Sequence, residues 1–171
     1  MKNLKKIVKE IKEIIAAILN IIYPPEDKCI ICDAEEFVGI CPLCKSKIKK
    51  IGCQEEILSY GFYGGILKEL ILSFKYKKNF TAGNVLAELL LELIKEEKID
   101  IEVICYVPMS KKSIKKRGFN QCEILAKKLG DELNIPVSNC LVKKRYTKEQ
   151  KTLSRNERLE NIEGAFEVPK I

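Results

Sequence analysis

Four of the eight cysteines form two Cys-x-x-Cys pairs, Cys29 with Cys32 and Cys41 with Cys44. Each pair lets two thiolates and nearby backbone amides wrap one side of a tetrahedral ion, and the second pair closes the shell. An all-cysteine shell with no open position is typical of a structural zinc site. We predict one zinc ion here; a redox pair or unligated thiols are the alternatives. Cys53 has no Cys-x-x-Cys partner, so we do not count it as a ligand.

Several common kinds of active site are excluded by residue type. The chain contains no histidine, so mixed Cys/His metal sites, catalytic triads and histidine acid–base chemistry are all impossible. It also lacks the glycine-rich signatures of P-loops and dinucleotide-binding folds. Catalysis would therefore depend on stabilisation of developing negative charge by Lys and Arg.

Positive charge is concentrated in one third of the chain. The net charge is +7, whereas residues 108–158 alone hold 14 Lys and Arg against 5 Asp and Glu, a net of +9. Such a concentration favours a polyanionic ligand, namely phosphate, pyrophosphate or a nucleic-acid backbone. A solvated, lysine-rich surface is the alternative.

The N-terminal residues 1–23 are predicted to form an amphipathic helix, because apolar residues recur at helical spacing up to Ile22. Packing on its own domain or on a partner is the favoured role; binding to a membrane surface through its Lys-rich face is the alternative. No stretch is long enough to span a bilayer. The composition indicates a soluble protein of the reducing cytoplasm.

The rest of the chain alternates helices and strands. Apolar residues of Ile66–Phe74 and Ala82–Ile94 predict two helices, with a turn at Asn79–Gly83 between them. Leu58–Phe62 is a strand candidate closed by Gly64-Gly65. Ile101–Val107 is the clearest strand candidate, and its continuous apolar run Val103–Val107 predicts a strand buried on both faces of a parallel sheet.

The next helix has a clear start. Asn120 is the predicted N-cap, Glu123 would complete a capping box, and Phe119 would pack on Ile124 as a hydrophobic staple. The helix should continue to about Asn134. Residues 135–142 then predict a short second strand, so strand, helix and strand indicate a βαβ unit and an α/β core.

Residues 143–161 combine weak periodicity with high charge and predict a long, mobile, basic loop, with room for a short helix. Gly164–Val168 predicts the start of another strand. In a parallel sheet, ligands bind at the carboxyl ends of strands, which here means Pro108–Lys112. Arg117, Gly118 and the start of the 120–134 helix add amides and a positive dipole end suited to phosphate, although such a loop can also be a plain connection.

The sequence resembles the ComF family, competence-associated bacterial proteins that join a zinc ribbon to a phosphoribosyltransferase-like domain. The resemblance rests on the following residues: Ile21–Pro25, Cys41 and Cys44, Tyr106–Ser110, Arg117–Gln121, Leu125-Ala126, Gln150, Leu153-Ser154, Arg158, Asn161 and Gly164–Phe166. It implies a zinc ribbon at residues 24–56 and a partial type I phosphoribosyltransferase-like (Rossmann-like) domain at residues 57–171.

The resemblance also implies roles for individual residues. Those predicted to bind pyrophosphate or the phosphoribosyl diphosphate donor are Pro108, Met109, Ser110, Lys111, Arg117, Gly118, Asn120 and Gln121. Those in the flexible basic loop that would close over the donor are Arg145, Gln150, Arg155 and Arg158. Magnesium is expected only together with the donor, whose oxygens it would bridge.

One part of the family pattern is not found in this sequence. The resemblance calls for a further strand, an adjacent acidic pair and a Thr/Gly-rich turn after Phe166, whereas the sequence ends at Ile171. We therefore expect an incomplete core, an exposed apolar edge at Val103–Val107 and no phosphoribosyl transfer by the chain as it stands. The alternatives are a non-enzymatic module that binds single-stranded DNA or a protein of the DNA-uptake machinery, and a plain structural scaffold.

Overall fold

The computed structural model describes residues 27–51, 57–148 and 150–169. The predicted N-terminal helix and Cys53 lie outside the described residues. The described part is a mixed α/β structure with two small sheets, β1–β2 and β3–β4. Its helices are α1 (Pro42–Ser46), α2 (Gly65–Lys77), α3 (Phe80–Glu96), α4 (Lys111–Arg117), α5 (Gln121–Leu133) and α6 (Arg155–Ile162). Its strands are β1 (Ile104–Cys105), β2 (Val137–Ser138), β3 (Val142–Lys143) and β4 (Phe166–Glu167).

The main core forms where α3 packs against both α2 and α5. Phe74 of α2 is 1% exposed, and its ring lies 5.3 Å from that of Phe119 and 6.3 Å from that of Phe80 between centroids. Both predicted helices of this region are confirmed. The predicted turn at Asn79–Gly83 is wrong, because the Asn79 side chain accepts a hydrogen bond from the Ala82 amide and starts α3 at Phe80.

The cysteine-containing segment is packed directly on this core. Ile48 is buried in the same apolar cluster as the inner faces of α2 and α3. Lys45 pairs with Glu92 of α3 at 2.6 Å, and Lys50 pairs with the same carboxylate at 3.1 Å. The predicted strand at Leu58–Phe62 is wrong: Gly61 makes only a single bridge, to Lys50, and Gly64 caps the start of α2.

Strands β1 and β2 pair in parallel through the register Ile104–Val137 and Cys105–Ser138, as the predicted βαβ unit requires. Helix α5 lies so close to β2 that a Cβ on Gly130 would be 2.4 Å from a Val137 methyl. The predicted burial of Ile101–Val107 on both faces is wrong: only residues 104–105 pair, and Val103 is 48% exposed. The reason is that β2 is the only described strand beside β1.

One prediction for the last part of the chain is corrected. Residues 135–142 contribute not to one strand but to two, because β2 joins β1 while β3 pairs antiparallel with β4. The short helix allowed within the predicted basic loop is present as α6, which starts with a reciprocal capping box between Ser154 and Glu157. The strand expected within Gly164–Val168 is confirmed as β4.

We predict that Phe74→Ala lowers the free energy of unfolding by about 3–5 kcal/mol, because it empties the centre of the α2–α3–α5 core. Urea denaturation followed by circular dichroism measures this change. Phe80→Ala is the matched control, since Phe80 is 51% exposed and should cost clearly less. Equal losses for the two variants would contradict the assignment of Phe74 to the core centre.

Candidate functional site

The four paired cysteines come together, as predicted. Their sulfur atoms all lie within 4.8 Å of one another, with Cys29, Cys41 and Cys44 buried and Cys32 exposed. In a tetrahedral zinc–thiolate centre, zinc–sulfur bonds of about 2.3 Å place the sulfurs roughly 3.8 Å apart. The Cys32 and Cys41 sulfurs are 3.7 Å apart, so the cluster matches the dimensions of a closed four-sulfur shell.

Local backbone structure brings these side chains together. The residues after Cys29 turn back so that the Cys29 amide donates to the Ala34 carbonyl at 2.9 Å. Cys41 caps the short helix α1, and its sulfur accepts from the Cys44 amide at 3.4 Å. The Cys41 amide in turn donates to the Cys29 sulfur at 3.3 Å. These amides stabilise negative charge on sulfur, as a thiolate metal ligand requires.

Two thiols of the cluster, Cys29 and Cys44, differ strongly in pKa. Burial raises the pKa of Cys29, but hydrogen bonds from the amides of Cys41, Ile31 and Cys32 outweigh it and lower the pKa to about 6. Burial and the neighbouring thiols raise the pKa of Cys44 to about 12. Four thiolates this close repel one another, and a divalent cation at their centre removes that repulsion. The donor set therefore fits a metal ion of the zinc type.

A second candidate site lies at the carboxyl end of β1. The predicted loop Pro108–Lys112 ends early, because Ser110 accepts from the Ser113 amide at 3.2 Å and starts α4 at Lys111. Five of the seven residues in α4 are Lys or Arg, and none is buried. Gly118 ends the helix with a φ of +92°, a conformation that favours glycine. The result is a short cationic helix on the surface.

Arg117 organises this site. Its guanidinium donates to the side-chain carbonyl of Gln121, contacts the Met109 sulfur at 3.7 Å and lies 5.5 Å from the centre of the Tyr76 ring. The structure therefore brings together Met109, Arg117 and Gln121 from the predicted donor-binding set. Tyr76 joins them from α2.

Asn120 connects the site to the sheet. Its side-chain NH₂ donates to the Val107 carbonyl at 3.2 Å, and its oxygen accepts from the Cys122 amide at 3.0 Å. The N-cap prediction is confirmed, and both Phe119 and Ile124 pack on the main core. The predicted capping box is wrong, because the Glu123 carboxylate pairs with Lys127 at 2.6 Å instead of returning to the Asn120 amide.

Two arginines of the predicted basic loop are bonded to backbone carbonyls, whereas they are expected to face a bound donor. Arg145 donates to the carbonyls of Glu160 and Glu163 at 3.3 and 2.5 Å. Arg158 donates to the Leu153 carbonyl at 3.0 Å. Gln150 opens a turn of 3₁₀ helix, and Arg155 is the first residue of α6. The hydrogen bonds of Arg145 and Arg158 thus go to backbone carbonyls between residues 153 and 163.

Sequence reasoning missed two parts of this site. Helix α4 carries a start signal at Ser110 and a stop signal at Gly118, which together could have revealed it. Tyr76 gave no signal, since it is 41 positions from Arg117 and belongs to another helix. Lys78 at the end of α2 also approaches, its amine 3.8 Å from the place where a Cβ on Gly118 would lie.

Comparison with known proteins finds one informative similarity. A stretch of 131 residues is 30% identical to "Competence protein F" of Haemophilus influenzae, covering 73% of this chain and 57% of that protein. The chain thus spans little more than half the length of this relative. No family model and no solved structure matches the chain. Among the described residues, no helix is both long and apolar enough to cross a bilayer.

We predict that Cys32→Ser abolishes stoichiometric zinc binding, because three sulfurs cannot close the shell. Cys32 is the suitable position because it is exposed, so the substitution removes a ligand without opening the core. Metal content of purified protein by inductively coupled plasma mass spectrometry measures the effect, with Cys122→Ser as the matched control. Full zinc stoichiometry in the Cys32→Ser protein would contradict the four-cysteine centre.

Proposed function

We propose that the chain is a ComF-type, competence-associated protein of the cytoplasm. Its four-cysteine segment would hold a structural zinc ion, and its α/β part would bind phosphoribosyl diphosphate or pyrophosphate. The observation that carries this proposal is the 30% identity to Competence protein F over 131 residues. The parallel pairing of β1 with β2 supports a phosphoribosyltransferase-like core, since such a core is built on parallel strands. Folds of that type bind ligands at the carboxyl ends of their strands.

The proposed phosphate site is formed by the cationic residues around α4. Lys111, Lys112 and Arg117 supply charge, and Ser110 supplies a hydroxyl beside them. Each charge-assisted hydrogen bond to a phosphate oxygen is worth about 1.5–3 kcal/mol. Lys78 adds a further ammonium from α2. Magnesium is expected only together with the donor, whose negative charge it would partly neutralise.

The segment from Arg145 to Arg158 is proposed to close over the bound donor. Arg145 and Arg158 are held by backbone carbonyls, which are weaker partners for a guanidinium than a pyrophosphate is. Exchange of these partners would let Arg145 or Arg158 turn toward the ligand, with Gln150 and Arg155 at its exposed surface. Closure of such a segment excludes water and strengthens the charge interactions inside.

We predict that the protein binds phosphoribosyl diphosphate in the presence of Mg²⁺, measured by isothermal titration calorimetry. The double variant Lys111→Met, Lys112→Met should weaken this affinity at least about tenfold, because it removes two ammonium groups from the site. Lys68→Met is the matched control: it removes an exposed lysine of α2, two turns before Tyr76. No binding of the donor or of pyrophosphate, or equal weakening in the control, would reject this site.

A second candidate function is the binding of single-stranded DNA. The specific observation in its favour is that Tyr76, 64% exposed, lies under Arg117 beside the basic helix α4. An exposed aromatic ring next to cations is the combination that holds an unpaired base and its backbone. In sequence the basic third of the chain has few aromatic residues, but the fold supplies this one from α2.

For this second function we predict binding of a fluorescently labelled oligothymidine that weakens as salt rises, with a logarithmic slope of about −0.7 per phosphate contacted. Tyr76→Ala should cost about 1–3 kcal/mol, whereas Tyr76→Phe keeps the ring and should leave the affinity nearly unchanged. Fluorescence anisotropy measures both. Absent or salt-independent binding, or an unaffected Tyr76→Ala protein, would reject the DNA-binding hypothesis.

A further inference from the structure

Two cysteines outside the metal cluster lie against each other at the edge of the parallel sheet. Cys105 is the last residue of β1, and Cys140 follows β2 by two residues. Their sulfurs are 3.0 Å apart, although the residues are 35 positions apart in sequence. In the register of the sheet Cys105 is opposite Ser138, two residues before Cys140.

The pair is accessible and has no other assigned role. Cys105 is exposed and Cys140 is partly exposed, so small oxidants can reach both. Neither belongs to the four-cysteine cluster. A disulfide has a bond of about 2.05 Å, so the sulfurs need to approach by only about 1 Å. By contrast, the charged groups that act on the Cys122 thiol are the cations Lys75 and Arg117.

We propose that Cys105 and Cys140 form a redox-active dithiol that closes to an intramolecular disulfide under mild oxidation. With glutathione disulfide as oxidant, one thiolate attacks a glutathione sulfur, forming a mixed disulfide and releasing one glutathione. The second protein thiolate then attacks the protein sulfur of the mixed disulfide, forming the Cys105–Cys140 bond and releasing the second glutathione. Two protein thiols are oxidised and one glutathione disulfide is reduced.

Closure would add a covalent link between β1 and the chain just after β2, two segments that already pair through backbone hydrogen bonds. Cys105 lies three residues before Pro108, and Cys140 lies two residues before β3, which leads into the basic segment. The bond would therefore fix the end of β1 against the connection between the two sheets. This inference does not depend on the proposed function, but closure would act directly beside the proposed phosphate site.

The test is disulfide mapping of the zinc-loaded protein in glutathione redox buffers. After free thiols are blocked, trypsin should release peptide 99–111, with Cys105, joined to peptide 129–143, with Cys140. The intact protein should lose two hydrogens, remain monomeric on a non-reducing gel and retain its zinc. Cys105→Ser and Cys140→Ser should each abolish the linked peptides and leave the remaining thiol of the pair glutathionylated.

Cys122→Ser is the matched control and should leave the linked peptides unchanged. The wild-type mapping alone can overturn the proposal, so it does not depend on how well the variants fold. Absence of the linked peptides at every buffer ratio would overturn it. So would cross-links in which peptide 118–127, with Cys122, takes part as often as the other two.

Discussion

The candidate phosphate site depends on one buried side chain, that of Asn120, which is 6% exposed. Its side-chain NH₂ donates to the carbonyl of Val107, two residues after β1, and its side-chain oxygen accepts from the Cys122 amide in the first turn of α5. A buried amide left without partners would cost about 1–3 kcal/mol, so these bonds strongly favour a single arrangement. Because these two bonds hold Val107 next to the start of α5, the chain between them must turn away and come back within a short distance. Helix α4 and the left-handed Gly118 that ends it make this turn.

The two candidate sites have different physical roles. The cysteine cluster is closed and mostly buried, so a metal held there has no open position for a substrate and serves the fold. Its segment is attached to α3 through buried Ile48 and through ion pairs with the Glu92 carboxylate. Hydrogen bonds from Lys45, the larger cause, and from Lys50 lower the pKa of Glu92. The cationic residues around Arg117 differ in both respects. None of the residues of their short helix α4 is buried, and they leave space for a ligand to approach from solvent. The proposed ligand binding therefore rests on this second group.

Short-range signals in the sequence were sufficient for the cysteine cluster, for helices α2, α3 and α5, and for the cap at Asn120. Predictions failed where a distant residue decided the outcome. The capping box of Asn120 is absent because Glu123 is taken by Lys127, and the strand Ile101–Val107 is short because β1 has only β2 beside it among the described strands. Tyr76 reaches Arg117 only through the packing of α2 near α5, which no local pattern reports. The basic segment was predicted as a loop with room for only a short helix, because α6 has a strong cap but no buried residue and so no apolar periodicity.

The central claim, that a phosphate ligand binds at the carboxyl end of β1, is tested most directly by nuclear magnetic resonance. Protein labelled with nitrogen-15 would be titrated with magnesium pyrophosphate, and the shifts of its backbone amides followed. We predict that the shifts concentrate on residues 109–121, from Met109 through α4 to the start of α5, and that they saturate. Saturating shifts confined to other parts of the molecule, or no shifts at millimolar ligand, would contradict the account.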